Sequence, residues 1–333
     1  MDLVTVWACL LGFSIILYVV LDGFSLGIGL LLPSTESEEE RNLLINSIAP
    51  VWDMNQTWLV FGGGAVFVAF PMIYGVVLSA LYIPLLTFIF GLIFRGISFE
   101  FRANATRKGP WNKAFFLGSL VAVMAQGLTL GGVISGTKAV AGQFTGGPLD
   151  WLNPFSITVG MALIAGYVLL GSTYLIIKTV GSVQKRAYQQ ALRAGWIVLG
   201  CQILVTIWIP LHYPSVLGNW LSPPRVYFIW SFPALGLLAF YGLIKSLKTH
   251  REVLPFLCSV LLFLTGYLGL IASIYPYVVP PSITFQEAAA QRETLRFTLW
   301  GVLIVLPVVL GYTLYSYLVF RGKAGVEGYS DHV

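Results

Sequence analysis

The sequence predicts an all-α integral membrane protein with nine transmembrane helices. Of its 333 residues, 57% are hydrophobic and only 10% are charged, whereas a soluble domain carries about 25% charged residues. Apolar segments of about 20 residues, the length that crosses a bilayer as a helix, recur along the whole chain. The basic residues are concentrated in alternate loops between these segments. Together, the three observations predict helices packed side by side in a membrane.

Nine apolar segments match the template of a spanning helix. They cover residues 4–32, 50–70, 75–95, 113–135, 154–177, 191–212, 226–245, 253–275 and 296–320. The first is longer than the roughly 7–15 residues of a signal-peptide core and has no basic residue before it, so we interpret it as a retained span. Pro71 separates the second span from the third, and Pro84 is expected to kink the third.

Loop charge predicts the orientation of the chain. All but four of the 19 Lys and Arg residues fall in one set of alternate loops and in the tail 321–333. The other set carries Lys138, Arg225, Arg292 and Arg296. By the positive-inside rule the first set is cytoplasmic, so the N-terminus is periplasmic and the C-terminus cytoplasmic. Because the basic residues are scattered over short loops, we expect no nucleic-acid partner.

Two local patterns in and between the first two spans predict structure. In the preceding loop, Thr35 and Glu38 fit a capping box and predict a short helix that ends at Pro50. Small residues at helical spacing, such as Gly23 with Gly27, and the run 62–64 of three glycines predict helices whose backbones approach closely.

Two acidic residues, Asp22 and Asp53, lie within apolar spans. A charged group at the bilayer centre costs about 2.5–3.5 kcal/mol on insertion scales, so such residues usually have a partner or a function. The orientation places both acids in the cytoplasmic half, with Asp53 nearer the surface. Asn55 and Gln56, in the second span, can supply hydrogen bonds, and Arg95, at the end of the third span, can supply a counter-ion. We predict that these residues handle protons; the alternative is a polar cluster that only ties helices together.

Ligands for a metal or haem are scarce. The chain has three histidines and three cysteines, and none of them forms a metal-binding spacing. A haem within the bilayer needs an axial His, Met or Cys, and the histidines fall at a span end or in loops: His212, His250 and His332. We therefore expect no metal, no haem bound by this chain's own ligands and no complete catalytic site.

Longer motifs support a family resemblance. They are Asp22-Gly23-Phe24, Asn-Ser-Ile-Ala-Pro-Val-Trp-Asp at residues 46–53, Phe94-Arg95, Asn153-Pro154-Phe155 and Tyr275-Pro276. With these motifs the chain resembles subunit II of cytochrome bd-type quinol oxidases, including the cyanide-insensitive branch. The resemblance extends over essentially the whole chain.

The resemblance implies a heterodimer in the bacterial inner membrane. Subunit I would hold the haems and oxidise quinol, while oxygen is reduced to water with cytoplasmic protons. This chain would be its haem-free partner: a single membrane domain, 1–320, of two four-helix bundles (1–135 and 154–275) and a peripheral helix (296–320). A small third subunit, membrane lipid and quinone are further expected partners.

Two site expectations depend on this resemblance. In this family the acid of the Trp-Asp motif is associated with a proton route, and the resemblance implies the same role for Asp53. The family often reads Asp-Gly-Phe-Asp, but Ser25 replaces the second acid here, and Met54 replaces a frequent Gly. Ser25 is therefore a further proton-path candidate. The competing function is a proton-coupled secondary transporter using Asp22 and Asp53; transporters favour internal repeats, and residues 150–330 contain no second Trp-Asp motif.

Overall fold

The computed structural model describes residues 2–140, 142–212, 220–223 and 225–325, and most of them are helical. The helices are α1 (Leu3–Leu31), α2 (Glu38–Asn46), α3 (Trp52–Ala69), α4 (Pro71–Asn104), α5 (Gly109–Ile134), α6 (Pro154–Lys178), α7 (Gly181–His212), α8 (Arg225–Lys248), α9 (Leu254–Ile274), α10 (Phe285–Ala288) and α11 (Arg292–Val319). Two short antiparallel hairpins pair β1 (Ala139–Val140) with β2 (Gln143–Phe144) and β3 (Tyr277–Val279) with β4 (Ile283–Thr284).

Eight of the described helices are long and apolar enough to cross a membrane: α1, α4, α5, α6, α7, α8, α9 and α11. The predicted second span forms α3, which has 18 residues and carries Asp53, Asn55 and Gln56 in its first turns. These polar residues lower its hydropathy, and α3 is not among the eight. The all-helical membrane class is confirmed, whereas nine spans and their orientation stay predictions.

Two local sequence signals, a proline and a capping pattern, had different outcomes in the structure. Leu81 has non-helical dihedral angles three residues before Pro84, so the predicted kink is confirmed, because a proline ring clashes with the preceding turn. The predicted capping box of Thr35 and Glu38 is wrong. Ser37, not Thr35, caps α2, and its Oγ accepts a hydrogen bond from the Glu40 amide at 3.2 Å.

Helix α1 occupies the centre of the packing and contacts α3, α5 and α6. Its residues from Asp22 to Gly29 are all buried. A Cβ at Gly27 would lie 1.8 Å from the Tyr167 carbonyl oxygen of α6, so only glycine permits this backbone contact. The predicted close approach is therefore confirmed here, and it brings the polar residues of α1 into the middle of the molecule.

The outer helices pack more loosely. On α3, a Cβ at Gly62 would lie 3.0 Å from the Ser14 Oγ, but one at Gly63 or Gly64 would meet no atom within 4 Å. The close approach predicted for the glycine run is thus wrong at Gly63 and Gly64 for contacts within this chain. Helix α11 lies against α1 and α3 with few buried residues.

Candidate functional site

A buried ion pair joins α1 to α4. Arg95 Nη1 donates a hydrogen bond to Asp22 Oδ1 at 2.9 Å, and both side chains are 0% exposed. Arg95 Nη2 donates to the hydroxyl of Ser25, which lies on the same face of α1 as Asp22 because three residues make almost one helical turn. The counter-ion expected from the sequence is therefore present for Asp22.

Aromatic rings surround the guanidinium. Its Cζ lies 5.9 Å from the ring centroid of Trp52 and 6.0 Å from that of Phe115, within the range of cation–π attraction. Two polar atoms of the pair, Arg95 Nε and Asp22 Oδ2, have no hydrogen-bond partner among the described residues.

Asn55 connects three helices next to this pair. Its Nδ2 donates to the Leu21 carbonyl oxygen at 2.8 Å, and its Oδ1 accepts from the Tyr317 hydroxyl at 2.7 Å. These bonds link α3 to α1 and to α11, one residue away from Asp22. Tyr317 was not predicted, since a tyrosine near the end of an apolar span gives no local signal of a contact 262 positions away.

A cavity of about 270 Å³ reaches Tyr317 from the end of the molecule that carries α2. Its lining includes Ser47, Val51 and Lys178. The segment 320–325 closes one side: Lys178 Nζ donates to the Phe320 and Gly322 carbonyl oxygens. Polar groups thus connect the cavity, through Tyr317 and Asn55, to the backbone beside Asp22.

Asp53 has quite different surroundings. It is exposed in the first turn of α3 and makes no ion pair or hydrogen bond with the described part of the chain. It shares a helix face with Thr57, Val60 and Gly64, which are exposed as well. Gln56 is nearby in sequence, but its Nε2 is buried without a described partner. The structure brings Asp22, Ser25, Arg95 and Asn55 together and leaves Asp53 outside.

A second set of charges holds α2 in place. Arg186 of α7 bonds Glu40 through Nη2 and Glu36 through Nη1, the latter at 2.9 Å. The hydrogen bond from Arg186, with others from the Glu36 amide and the Ser182 hydroxyl, lowers the pKa of Glu40. These groups lie in loops and helix ends outside the apolar spans.

No group of three or more His, Cys, Asp or Glu residues that could hold a metal ion occurs in the part of the chain that the structure describes. The three cysteines are free thiols. His332 and the side chain of His212 lie outside the described residues. The absence of haem from this chain therefore stays a prediction.

Comparisons with known proteins match nearly the whole chain. Residues 3–320 match the family model for cytochrome bd terminal oxidase subunit II. Cytochrome bd-I ubiquinol oxidase subunit 2 of Escherichia coli (strain K12) is 29% identical, with 97% of this chain and 95% of that protein covered. Cytochrome bd ubiquinol oxidase subunit 2 of Bacillus subtilis (strain 168) is 27% identical, with 95% of each covered. The structure of bd oxidase from Geobacillus thermodenitrificans shares the fold, with a TM-score of 0.76 at 17% identity over 97% of this chain and 100% of that chain.

Proposed function

Since the chain belongs to the cytochrome bd terminal oxidase subunit II family, we propose that it supports a haem-bearing subunit I and helps to deliver cytoplasmic protons for oxygen reduction. It is a multi-pass inner-membrane subunit of a quinol oxidase, which is an oxidoreductase complex. The observation that carries this conclusion is the family match over residues 3–320. The transporter alternative finds no support among the matched proteins.

The exposed face of α3 is the surface proposed for subunit I. A carboxylate facing lipid is costly, so Asp53 needs a polar neighbour, and the described part of this chain does not provide one. Gly63 and Gly64 would let another helix approach this face closely, as small residues do within membranes. A contact with subunit I would explain both why Gly63 and Gly64 have no neighbour within the described chain and why Asp53 has no partner there.

The proton route proposed here has two parts. Asp53 would take up protons at the junction with subunit I. The cavity at the α2 end would admit water as far as Tyr317, and the bonds of Tyr317 and Asn55 would order the inner end of this path next to Asp22 without themselves transferring protons. Arg95 would stabilise the carboxylate of Asp22 whenever that group has released its proton.

Haems and quinol are proposed to bind to subunit I, and a small third subunit would complete the assembly. Purified alone, the chain should give a reduced-minus-oxidised spectrum without haem bands; with its co-purifying partner, bands should be present. His212→Ala should leave the spectrum of the complex unchanged, as should His250→Ala in a loop. Loss of one haem band from an assembled His212→Ala complex would contradict the haem-free assignment.

We further propose nine spans with a periplasmic N-terminus, arranged as bundles 1–135 and 154–275 with helix 296–320 beside them. A reporter fused after Lys323 should signal cytoplasm, and one inserted near Gly146 should signal the external side. External activity from the Lys323 fusion would refute this topology.

A further inference from the structure

A groove at the start of α11 combines two arginines with an apolar wall. Its volume is about 340 Å³ and its lining is Leu3 of α1 with Arg292, Arg296, Leu299, Trp300 and Leu303 of α11. The α11 residues recur every three or four positions and so form one stripe along the helix. At about 1.5 Å per residue, the stripe runs about 16 Å from its charged end towards its apolar end.

Neither arginine has an anionic partner among the residues that the structure describes. Both are exposed, and neither makes an ion pair or hydrogen bond with the described residues. The nearby Asp2 carboxylate already accepts bonds from the Thr5 amide and from Gln286, while Glu293 follows Arg292 directly and is exposed. Two positive charges one turn apart are therefore left at the mouth of the groove.

Their position in the membrane makes them unusual. Arg292 and Arg296 belong to the set of loops that is poor in basic residues and is assigned to the external side. Basic residues are depleted there, so a pair of them on one helix face needs a local reason. An anion held between them would provide it.

We propose that this groove binds one anionic glycerophospholipid. The planar guanidinium groups match phosphate oxygens in geometry and charge, and residues four apart on a helix can reach the same phosphate. Leu3, Leu299 and Leu303 would line an acyl chain. Trp300 would lie at the headgroup level, where tryptophan is common. The ammonium of phosphatidylethanolamine would approach the guanidiniums unfavourably, so phosphatidylglycerol is preferred.

The test counts lipids on the purified complex. The complex is placed in nanodiscs with equal amounts of phosphatidylglycerol and phosphatidylethanolamine, and the lipids retained after detergent washing are counted by native mass spectrometry. Arg292→Gln/Arg296→Gln should lower the retained phosphatidylglycerol about tenfold or more, because each basic residue near a membrane adds substantially to attraction for anionic lipid. Lys138→Gln is the charge control. Lys138 Nζ lies 3.3 Å from Asp150 Oδ2, and neither residue lines the groove.

A second pair of variants tests the apolar wall. Leu303→Asn should also reduce phosphatidylglycerol retention, whereas Leu314→Asn, on an exposed part of α11 outside the groove, should not. Haem content per complex checks that each variant assembles. Unchanged phosphatidylglycerol in the double arginine variant, or equal retention of the two lipids by the wild type, would overturn the proposal. So would a carboxylate of subunit I found bonded to both guanidiniums.

Discussion

Asp22 and Asp53 are the two acids of the apolar segments, and the structure gives them opposite surroundings. Asp22 is wholly buried and paired with Arg95, whereas Asp53 is exposed on the outer face of α3. Sequence position predicted their depth in the membrane but not the direction in which each side chain points. The difference shows that Asp22 takes part in the packing of this chain, and it predicts that Asp53 acts at a contact outside the chain.

The energies of the two sites differ accordingly. Removing one partner of a buried ion pair leaves an uncompensated charge and costs about 3–5 kcal/mol, even where the whole pair adds little to stability. An exposed acid without a partner can be changed at almost no cost to folding. Variants at the two positions should therefore separate assembly from turnover.

Arg95→Leu should have the largest effect. It leaves the Asp22 carboxylate buried without a counter-ion, at a cost of about 3–5 kcal/mol, so little complex should assemble. The measurement is the amount of haem-containing complex in membranes. The control is Asp22→Leu/Arg95→Leu, which removes both charges and should restore part of the yield. Normal assembly of Arg95→Leu would show that the pair does not hold α1 to α4.

Asp53→Asn should come next and should act on rate alone. The amide keeps the shape of the acid but cannot titrate, so the complex should assemble and keep its haems. Because positioned acids and bases contribute at least about 100-fold where they transfer protons directly, we expect quinol turnover per haem to fall about tenfold or more. Asp53→Glu should recover part of the rate. Near-normal turnover in the Asn variant would remove Asp53 from any essential proton route.

Tyr317→Phe tests the polar connection to the buried site. The variant leaves Asn55 Oδ1 without its donor, and a buried acceptor without a partner costs about 1–3 kcal/mol. The thermal midpoint of the complex should fall, and turnover should fall with it if the cavity supplies Asp22. Tyr315→Phe is the matched control, since Tyr315 is 66% exposed on the same helix. Equal thermal midpoints and turnover in the two variants would show that the Tyr317–Asn55 hydrogen bond contributes to neither stability nor rate.

Much of the fold followed from the sequence, because its signals are local. Apolar length predicted the long helices, Pro84 predicted the kink, and Gly27 predicted a close helix approach, which the structure places against α6. The need of a buried acid for a counter-ion indicated Arg95 as a candidate, but not that it would pair with Asp22 rather than Asp53. The capping residue of α2 was missed because Ser37 and Thr35 compete for the same role and only the backbone path decides between them.

The candidate site was only partly predictable, because its remaining features depend on distant parts of the chain. No local pattern brings Tyr317 to Asn55. The rotation of α3 about its axis, which turns Asp53 outward, is set by packing of Asn55 and Trp58 against the interior. Gly63 and Gly64 were read as contacts within the chain, whereas they face away from it.

Glu40→Gln should have the smallest effect and compares the fully buried pair with a partly exposed one. Its pair with Arg186 is reached by water, and such pairs contribute up to about 1 kcal/mol. Because the hydrogen bond from Arg186 lowers the pKa of Glu40, the stabilisation is present above the unfolded pKa of about 4.3 and is lost as the pH falls through the lower folded value. The thermal midpoint of Glu40→Gln should thus lie slightly below that of the wild type at neutral pH and converge with it in acid. Glu39→Gln, an exposed neighbour in the same helix, is the control and should show no such difference. A loss of haem-containing complex in Glu40→Gln as large as that in Arg95→Leu would mean that burial does not decide the strength of these pairs.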